Sequence, residues 1–237
     1  MSSPSDLHLQ AAQLREQGKF LEALALYEKS LFSYLQEQNT EFLINVVLEK
    51  NLALKRLWIK TQQTEYIDIA KQNIALGKIW QTRFSFSIEQ KALLLFGEAE
   101  ITFLSQDLTS SLLAYTQALA VLPQDHPFVG QFQYHLGFVQ VLQNLTELGF
   151  RNLREGREVI EKRLDLDPYT QQVWLSGAWL KTALAYLIIK QSTEAQEALD
   201  QAKTIINSHS QLFLRAEDLK RVQDCLTRGS WDLQDLL

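Results

Sequence analysis

Residues 18–31, GKFLEALALYEKSL, read as a turn followed by a helix. Ala23, Tyr27 and Ser30 lie at steps of four and three, so they share one stripe of that helix in a small, large, small order. The two small residues allow a neighbouring helix to approach closely, and the large residue fills the space between them. We therefore expect this helix to pack tightly along this stripe.

The same small, large, small order recurs further along the chain, at Ala70/Ile74/Gly77, Ser111/Tyr115/Ala118, Gly149/Leu153/Gly156 and Ala195/Leu199/Ala202. Four of the five copies also have a small residue twelve positions before their first member, namely Ala11, Ala99, Gly137 and Ala183. This spacing indicates that each copy is the second helix of a helix–turn–helix hairpin. The pattern predicts an all-α protein made of about five hairpins.

The best preserved copies, around residues 18–31, 106–123 and 179–202, resemble the tetratricopeptide repeat (TPR). Successive copies lie farther apart than the 34 residues of the standard repeat, so the array is divergent and its helices are longer. The resemblance implies an α-solenoid of about five TPR-like hairpins. A last amphipathic helix, residues 211–227, is expected to cap the open end of the stack.

The chain is expected to form a single repeat domain over residues 1–228, followed by a short C-terminal tail, residues 229–237. The fourth helix is predicted to end near Gly77, with an irregular, aromatic-rich connection over residues 78–86. The sequence LDLDP, residues 164–168, is predicted to stop the eighth helix, because proline cannot continue a helix from within.

Composition restricts the compartment and the partners. The net charge is −5, so we expect neither nucleic acid nor an anionic membrane as a partner. The single cysteine, Cys225, excludes an internal disulfide and suits a reducing compartment. The start, MSSPSDLHLQ, lacks the features of a signal peptide, and no apolar run approaches the roughly 20 residues that span a bilayer. We expect a cytoplasmic protein.

The sequence contains no recognisable catalytic or metal-binding motif. The four histidines, His8, His126, His135 and His209, are widely separated, and none has the spacing of a zinc site. Nucleophile-elbow, phosphate-loop and dinucleotide-binding motifs are also missing from the sequence. We therefore expect a protein that is not an enzyme and that uses neither a cofactor nor a metal.

Two basic groups could bind an anionic partner. Arg151, Arg154 and Arg157 recur every three residues on the eighth helix, and a glutamate follows each of them by four residues. Ion pairs within the helix explain this run more simply than a binding site does. The second group, on the third helix, is interpreted as an exposed face and comprises Lys50, Lys55, Arg56 and Lys60.

The TPR resemblance also indicates a groove, since the first helices of TPR hairpins line a concave surface. Some TPR proteins bind the C-terminal carboxylate of a peptide there with Lys, Asn and Arg side chains. The matching positions of this chain do not carry that set. They are His8, Ala12, Arg56, Leu93 and Gly97. The resemblance instead points an apolar, aromatic set inward: Phe96, Glu100, Phe103, Tyr134, Phe138 and Leu184. At helical spacing these residues either line a groove for a partner or belong to the core.

Two functions remain open from the sequence. The first is a protein–protein interaction module, adaptor-like or chaperone-like, that binds an amphipathic helix or an extended apolar peptide in the groove. The second is a self-associating structural scaffold. In that case the apolar residues of the tail would enter the groove of the same chain or of another copy, and these residues are Trp231, Leu233, Leu236 and Leu237.

Overall fold

The computed structural model of the protein describes residues 3–231, so Leu233, Leu236 and Leu237 of the predicted tail lie outside the described residues. Within these residues the chain forms eleven α-helices and no strand, so the all-α prediction is confirmed. The helices are α1 (Pro4–Glu16), α2 (Phe20–Gln36), α3 (Leu43–Thr61), α4 (Glu65–Arg83), α5 (Ile88–Leu104), α6 (Leu108–Val121), α7 (Val129–Leu142), α8 (Thr146–Lys162), α9 (Pro168–Ile188), α10 (Ser192–Asn207) and α11 (Phe213–Arg228).

The described chain divides into two compact units. The N-terminal unit comprises residues 3–107 and 120–122, and the C-terminal unit comprises residues 108–119 and 123–231. In the N-terminal unit, each helix from α1 to α5 packs against the next one, and α3 also contacts α5. In the C-terminal unit, the same holds from α7 to α11, with further contacts of α9 to α7 and to α11. Consecutive helices therefore pack as pairs within each unit.

The small, large, small stripes lie on the buried side of the helices that the sequence predicts as the second helix of each hairpin. All fifteen residues of the five copies are buried, and so are the four small residues that precede them by twelve positions. In the first copy, the buried hydroxyl of Ser30 donates a hydrogen bond to the carbonyl oxygen of Pro4 at 2.8 Å. This bond ties the start of α1 to the stripe of α2, as the hairpin pattern requires.

Helices α7 and α8 approach each other at two glycine pairs. A Cβ atom built on Gly137 would lie 2.6 Å from the carbonyl oxygen of Gly149, and one built on Gly130 would lie 2.6 Å from that of Gly156. The two pairs share one antiparallel register, since the partners on each helix are seven residues apart. The backbones are therefore in direct contact, at a separation that leaves no space for even a methyl group.

The end of α4 differs from the prediction. The sequence suggested an irregular connection from residue 78, but the helix continues to Arg83. Trp80 lies three residues after Gly77 on the same face and is buried, so its ring extends the packing stripe for another turn. The predicted stop after α8 is confirmed, because Pro168 opens α9 and the side chain of Asp167 caps it by accepting the Thr170 N–H at 2.9 Å.

The glycine pairs of α7 and α8 can be tested by Gly137→Ala. We expect this change to lower the free energy of unfolding by about 1–3 kcal/mol, because the new methyl group meets backbone atoms that cannot shift alone. The loss should occur although alanine is the better helix former by about 1 kcal/mol. Chemical denaturation of the purified protein measures the change.

Gly77→Ala is the matched control for this experiment. A Cβ atom at Gly77 would meet the end of the Leu94 side chain at 2.7 Å, and a side-chain end can move aside more easily than backbone can. We expect a smaller loss than in Gly137→Ala. An equal loss of unfolding free energy in the two variants would contradict the direct backbone contact of α7 and α8.

Candidate functional site

The six residues predicted to line a groove divide between the two units. Phe96, Glu100 and Phe103 lie on α5 in the N-terminal unit, whereas the C-terminal unit holds Tyr134 and Phe138 on α7 and Leu184 on α9. Four of the six are at most 3% exposed, namely Phe103, Tyr134, Phe138 and Leu184. Their burial favours the second alternative of the sequence analysis, in which these four side chains belong to the core. Phe96 and Glu100 are half-buried.

Two of these six residues have contacts within their own unit that account for their position. The ammonium of Lys181 on α9 lies 4.6 Å from the ring centroid of Phe138, in a cation–π contact that covers the ring. The carboxylate of Glu100 lies 3.4 Å from the ammonium of Lys55 on α3. Phe138 and Glu100 therefore each have a charged contact with another helix of their own unit.

The basic run on α8 is largely paired within the helix, as expected. Arg157 lies 3.8 Å from Glu161, and Arg154 lies 4.0 Å from Glu158. The third predicted pair does not form, because Glu155 accepts a hydrogen bond from the amide of Gln133 on α7 at 2.9 Å. The two arginines that do pair, Arg154 and Arg157, also line a cleft.

The interpretation of the basic group on α3 as an exposed face holds only for Lys60, since Lys55 and Arg56 are half-buried and Lys50 is buried.

Lys50 differs most from the expectation. Its side chain is buried, and its ammonium donates to the side-chain oxygen of Asn73 at 2.9 Å and forms an ion pair with Glu28. Asn73 in turn donates to Asn51 at 2.7 Å. These partners are 22 or more residues away along the chain, so the sequence alone did not show that Lys50 could be buried with its charge compensated.

A cluster of charged and polar side chains around Glu49 connects α1, α2 and α3. The carboxylate of Glu49 accepts a hydrogen bond from the Tyr27 hydroxyl at 2.8 Å, and it lies 3.3 Å from Arg15 and 3.4 Å from His8. Glu16 accepts two hydrogen bonds from Arg15, at 3.2 Å from Nε and at 2.8 Å from Nη2. Side chains from three helices thus meet at one carboxylate.

The protonation states in this cluster favour a structural role over proton transfer. Burial alone would raise the pKa of Glu49, but the hydrogen bond with His8 and the charge of Arg15 outweigh burial, so the pKa is lowered. Burial raises the pKa of the Tyr27 hydroxyl. A general base or acid works best with a pKa near the working pH, and both shifts lead away from neutrality. Glu49 stays ionised and Tyr27 stays protonated, which stabilises the packing of the three helices.

The role of Glu49 predicts a pH-dependent effect of Glu49→Gln. The lowered pKa of Glu49 means that its ionised form stabilises the fold above about pH 4.5, and that this contribution is lost as the pH falls through the lowered value. We expect Glu49→Gln to cost about 2 kcal/mol at pH 7, because Arg15 loses one of its two carboxylate partners. The difference from the wild type should shrink towards pH 3. Denaturant unfolding at a series of pH values measures it.

The control is Glu22→Gln, which removes an exposed carboxylate from α2. This variant should follow the wild type at every pH, because Glu22 takes part in no ion pair within residues 3–231. A stability difference for Glu49→Gln that stays constant from pH 7 to pH 3 would show that the charge of Glu49 does not stabilise the fold.

An open cleft of about 360 Å³ lies in the C-terminal unit, where α8 and α10 both pack against α9. Its apolar part combines aromatic rings from α8 and α9 with aliphatic side chains from α8 and α10. The charges differ between the helices, since α8 contributes two arginines and α10 contributes two glutamates. The aromatic and charged residues that line the cleft are Phe150, Arg154, Arg157, Trp179, Tyr186, Glu194 and Glu197.

The aromatic part of the cleft is held in place by contacts between its own residues. The guanidinium of Arg157 lies 3.7 Å from the ring centroid of Trp179, in a cation–π contact. The rings of Phe150 and Tyr186 are 4.4 Å apart. Burial lowers the pKa of Arg157, yet a guanidinium keeps its charge under all ordinary conditions. The cleft therefore offers aromatic surface, a fixed positive charge and two carboxylates within one concave site.

The sequence analysis identified some residues that line this cleft but did not show that they lie together. Arg154 and Arg157 were considered for an anionic partner, and Trp179 fell within a repeat copy. The missing signal is spatial, because Glu194 and Glu197 are far from both arginines along the chain. Their spacing of three residues on the polar side of α10 is shared by many solvent-exposed helices, so it could not have identified them.

Two comparisons of the sequence with known proteins find no relative. No family model matches the sequence, and no curated protein is significantly similar to it. Within residues 3–231, no helix is both long and apolar enough to cross a membrane. The same part of the chain has no group of three or more His, Cys, Asp or Glu side chains that could hold a metal ion. The TPR resemblance thus depends on the residues of this chain alone.

Proposed function

We propose that the protein is a non-enzymatic protein–protein interaction module, adaptor-like or chaperone-like, built as a TPR-like array of about five hairpins with α11 as its cap. The support for this architecture is the burial of all five small, large, small stripes and the packing of α11 on α9 and α10. We further propose a cytoplasmic location, which the use of a single, buried cysteine, Cys225, supports. A net charge of −5 favours a protein partner over nucleic acid or an anionic membrane.

The observation that carries this function is the charge arrangement of the cleft. Arg154 is 63% exposed, and its pair with Glu158 at 4.0 Å is weak, as surface pairs generally are. Its guanidinium is thus available to a carboxylate of a partner. Glu194 and Glu197 are exposed and form no ion pair within the described residues. Their carboxylates are available to a lysine or an arginine of the same partner.

These charges define the class of partner. A segment that fits carries an apolar or aromatic side chain for the surface of Trp179 and Tyr186, an acidic side chain towards α8 and a basic side chain towards α10. Aromatic residues in a cleft contribute strongly to affinity, because they offer a large contact area with little rotamer entropy to lose. Opposite charges on the two sides fix the direction in which the segment binds. An amphipathic peptide of mixed charge meets these requirements.

Selection from a displayed peptide library tests this function. We expect the wild-type protein to enrich peptides in which an aromatic residue is flanked by an acidic residue and a basic residue. Trp179→Ala and Arg154→Glu should each weaken the binding of a selected peptide by about tenfold or more, which corresponds to about 1.4 kcal/mol. Isothermal titration calorimetry with the synthetic peptide gives the affinities.

Arg151→Glu provides the matched control, since it reverses the charge of an exposed arginine on α8 that does not line the cleft. Its affinity should stay within about twofold of the wild type, because charges away from a binding site contribute little. An equal loss in Arg151→Glu and Arg154→Glu would show that only long-range charge matters. Failure of the wild type to enrich any peptide over bare support would refute the cleft as a peptide site.

A further inference from the structure

Helix α4 has apolar side chains on two different faces. One face is buried against its neighbours in the N-terminal unit and comprises Ile67, Ala70, Ile74, Gly77 and Trp80. The other face carries Ile69, Leu76 and Ile79, which are 38%, 43% and 46% exposed. Single exposed apolar residues are common, but these three lie on one helical stripe, which only Gln72 interrupts between Ile69 and Leu76.

This exposed stripe has a charge of opposite sign at each end. Its residues follow each other at steps of four and three, in the order Glu65, Ile69, Gln72, Leu76, Ile79 and Arg83. Neither Glu65 nor Arg83 forms an ion pair within residues 3–231.

The lysines beside the stripe form ion pairs within the chain. Lys71 lies 3.6 Å from Asp68, and Lys78 lies 2.6 Å from Glu98 on α5. Glu65 and Arg83 are therefore the charges of this face that remain for a partner.

We propose that α4 pairs in an antiparallel manner with α4 of a second copy of this chain. The two helices cross about a two-fold axis at the height of residue 74, whose own side chain lies on the buried face. Ile69 then faces Ile79, Gln72 faces Leu76, and Glu65 faces Arg83 of the other copy. Two-fold symmetry produces each of these contacts twice. The pairing buries all three apolar residues of both stripes and forms two ion pairs at its ends.

The symmetry of the stripe selects a second copy over an unrelated partner. Glu65 and Arg83 lie equally far from Ile74 and have opposite charges, so the stripe is complementary to its own reversed copy. The two residues are separated by about 27 Å along the helix and cannot pair with each other. Parallel pairing would place like charges together. The interface belongs to the N-terminal unit, so it does not depend on the peptide function of the cleft.

Charge reversal tests the pairing through sedimentation equilibrium of the full chain. The stripe is short, so the wild type should show a monomer–dimer equilibrium with a dissociation constant of about 1–100 µM, typical of small interfaces. Glu65→Arg and Arg83→Glu should each weaken the dimer by about tenfold, because each places like charges at both ends. The double variant E65R/R83E restores both ion pairs and should dimerise like the wild type.

Mixing the two single variants gives a second, stricter test. One variant then carries two positive charges on the stripe and the other carries two negative charges. The mixture should form a heterodimer that is tighter than either homodimer. Restoration in the double variant and in the mixture requires that position 65 faces position 83 of another copy, which no change in stability of the single chain can mimic.

Ile79→Glu tests the apolar centre, with Leu21→Glu on α2 as its control, since Leu21 is also exposed. Ile79→Glu should abolish the dimer and keep the melting temperature of the monomer, whereas Leu21→Glu should leave the dimer intact. Three results would overturn the proposal. These are a wild type that stays monomeric at about 200 µM, a double variant as weak as the single ones, and a dimer that survives Ile79→Glu.

Discussion

The close approach of paired helices at small residues is the constraint on which the other features of the structure depend. Where α7 and α8 meet at Gly137 and Gly149, the backbone of one helix touches the backbone of the other. A helix held so closely has a fixed rotation about its axis. On α8, Gly149 and Gly156 face α7, which directs Arg154 and Arg157 towards the cleft beside α9. The packing stripe thereby also determines which side chains reach a partner.

Buried polar groups add specificity to the packing of the N-terminal unit. Glu49 and Lys50 are neighbours on α3 and both have a partner on α2, but Glu49 also meets Arg15 of α1, whereas Lys50 also meets Asn73 of α4. Buried charges gain little stability overall, but a packing that separates them from their partners is costly. The two side chains therefore disfavour alternative placements of α1 and α4 against α3, which apolar contacts alone would tolerate.

The sequence predicted the helices well because their signals are local. The turn and helix expected over residues 18–31 agree with the start of α2 at Phe20, and small residues at fixed spacing identified the buried stripe in every copy. The extension of α4 was missed because Trp80 was assigned to a loop on composition, although its spacing from Gly77 continues the stripe. Helical spacing places Phe103 and Phe138 on an inner face, but it cannot tell whether a partner or another helix covers them. The cleft is formed by side chains from three helices, α8, α9 and α10, and a pattern within one helix cannot show that they come together.

The cleft and the exposed stripe of α4 obey different rules of recognition. Each side of the cleft carries one sign of charge, so a bound segment needs both signs and has a defined direction. The stripe of α4 carries both signs on one helix, at equal distances from Ile74, so its best complement is itself. A dimer formed through α4 carries two copies of the cleft, one on each chain. A partner with two suitable segments then binds the second cleft at a high effective concentration, so a modest affinity for each segment suffices for stable binding.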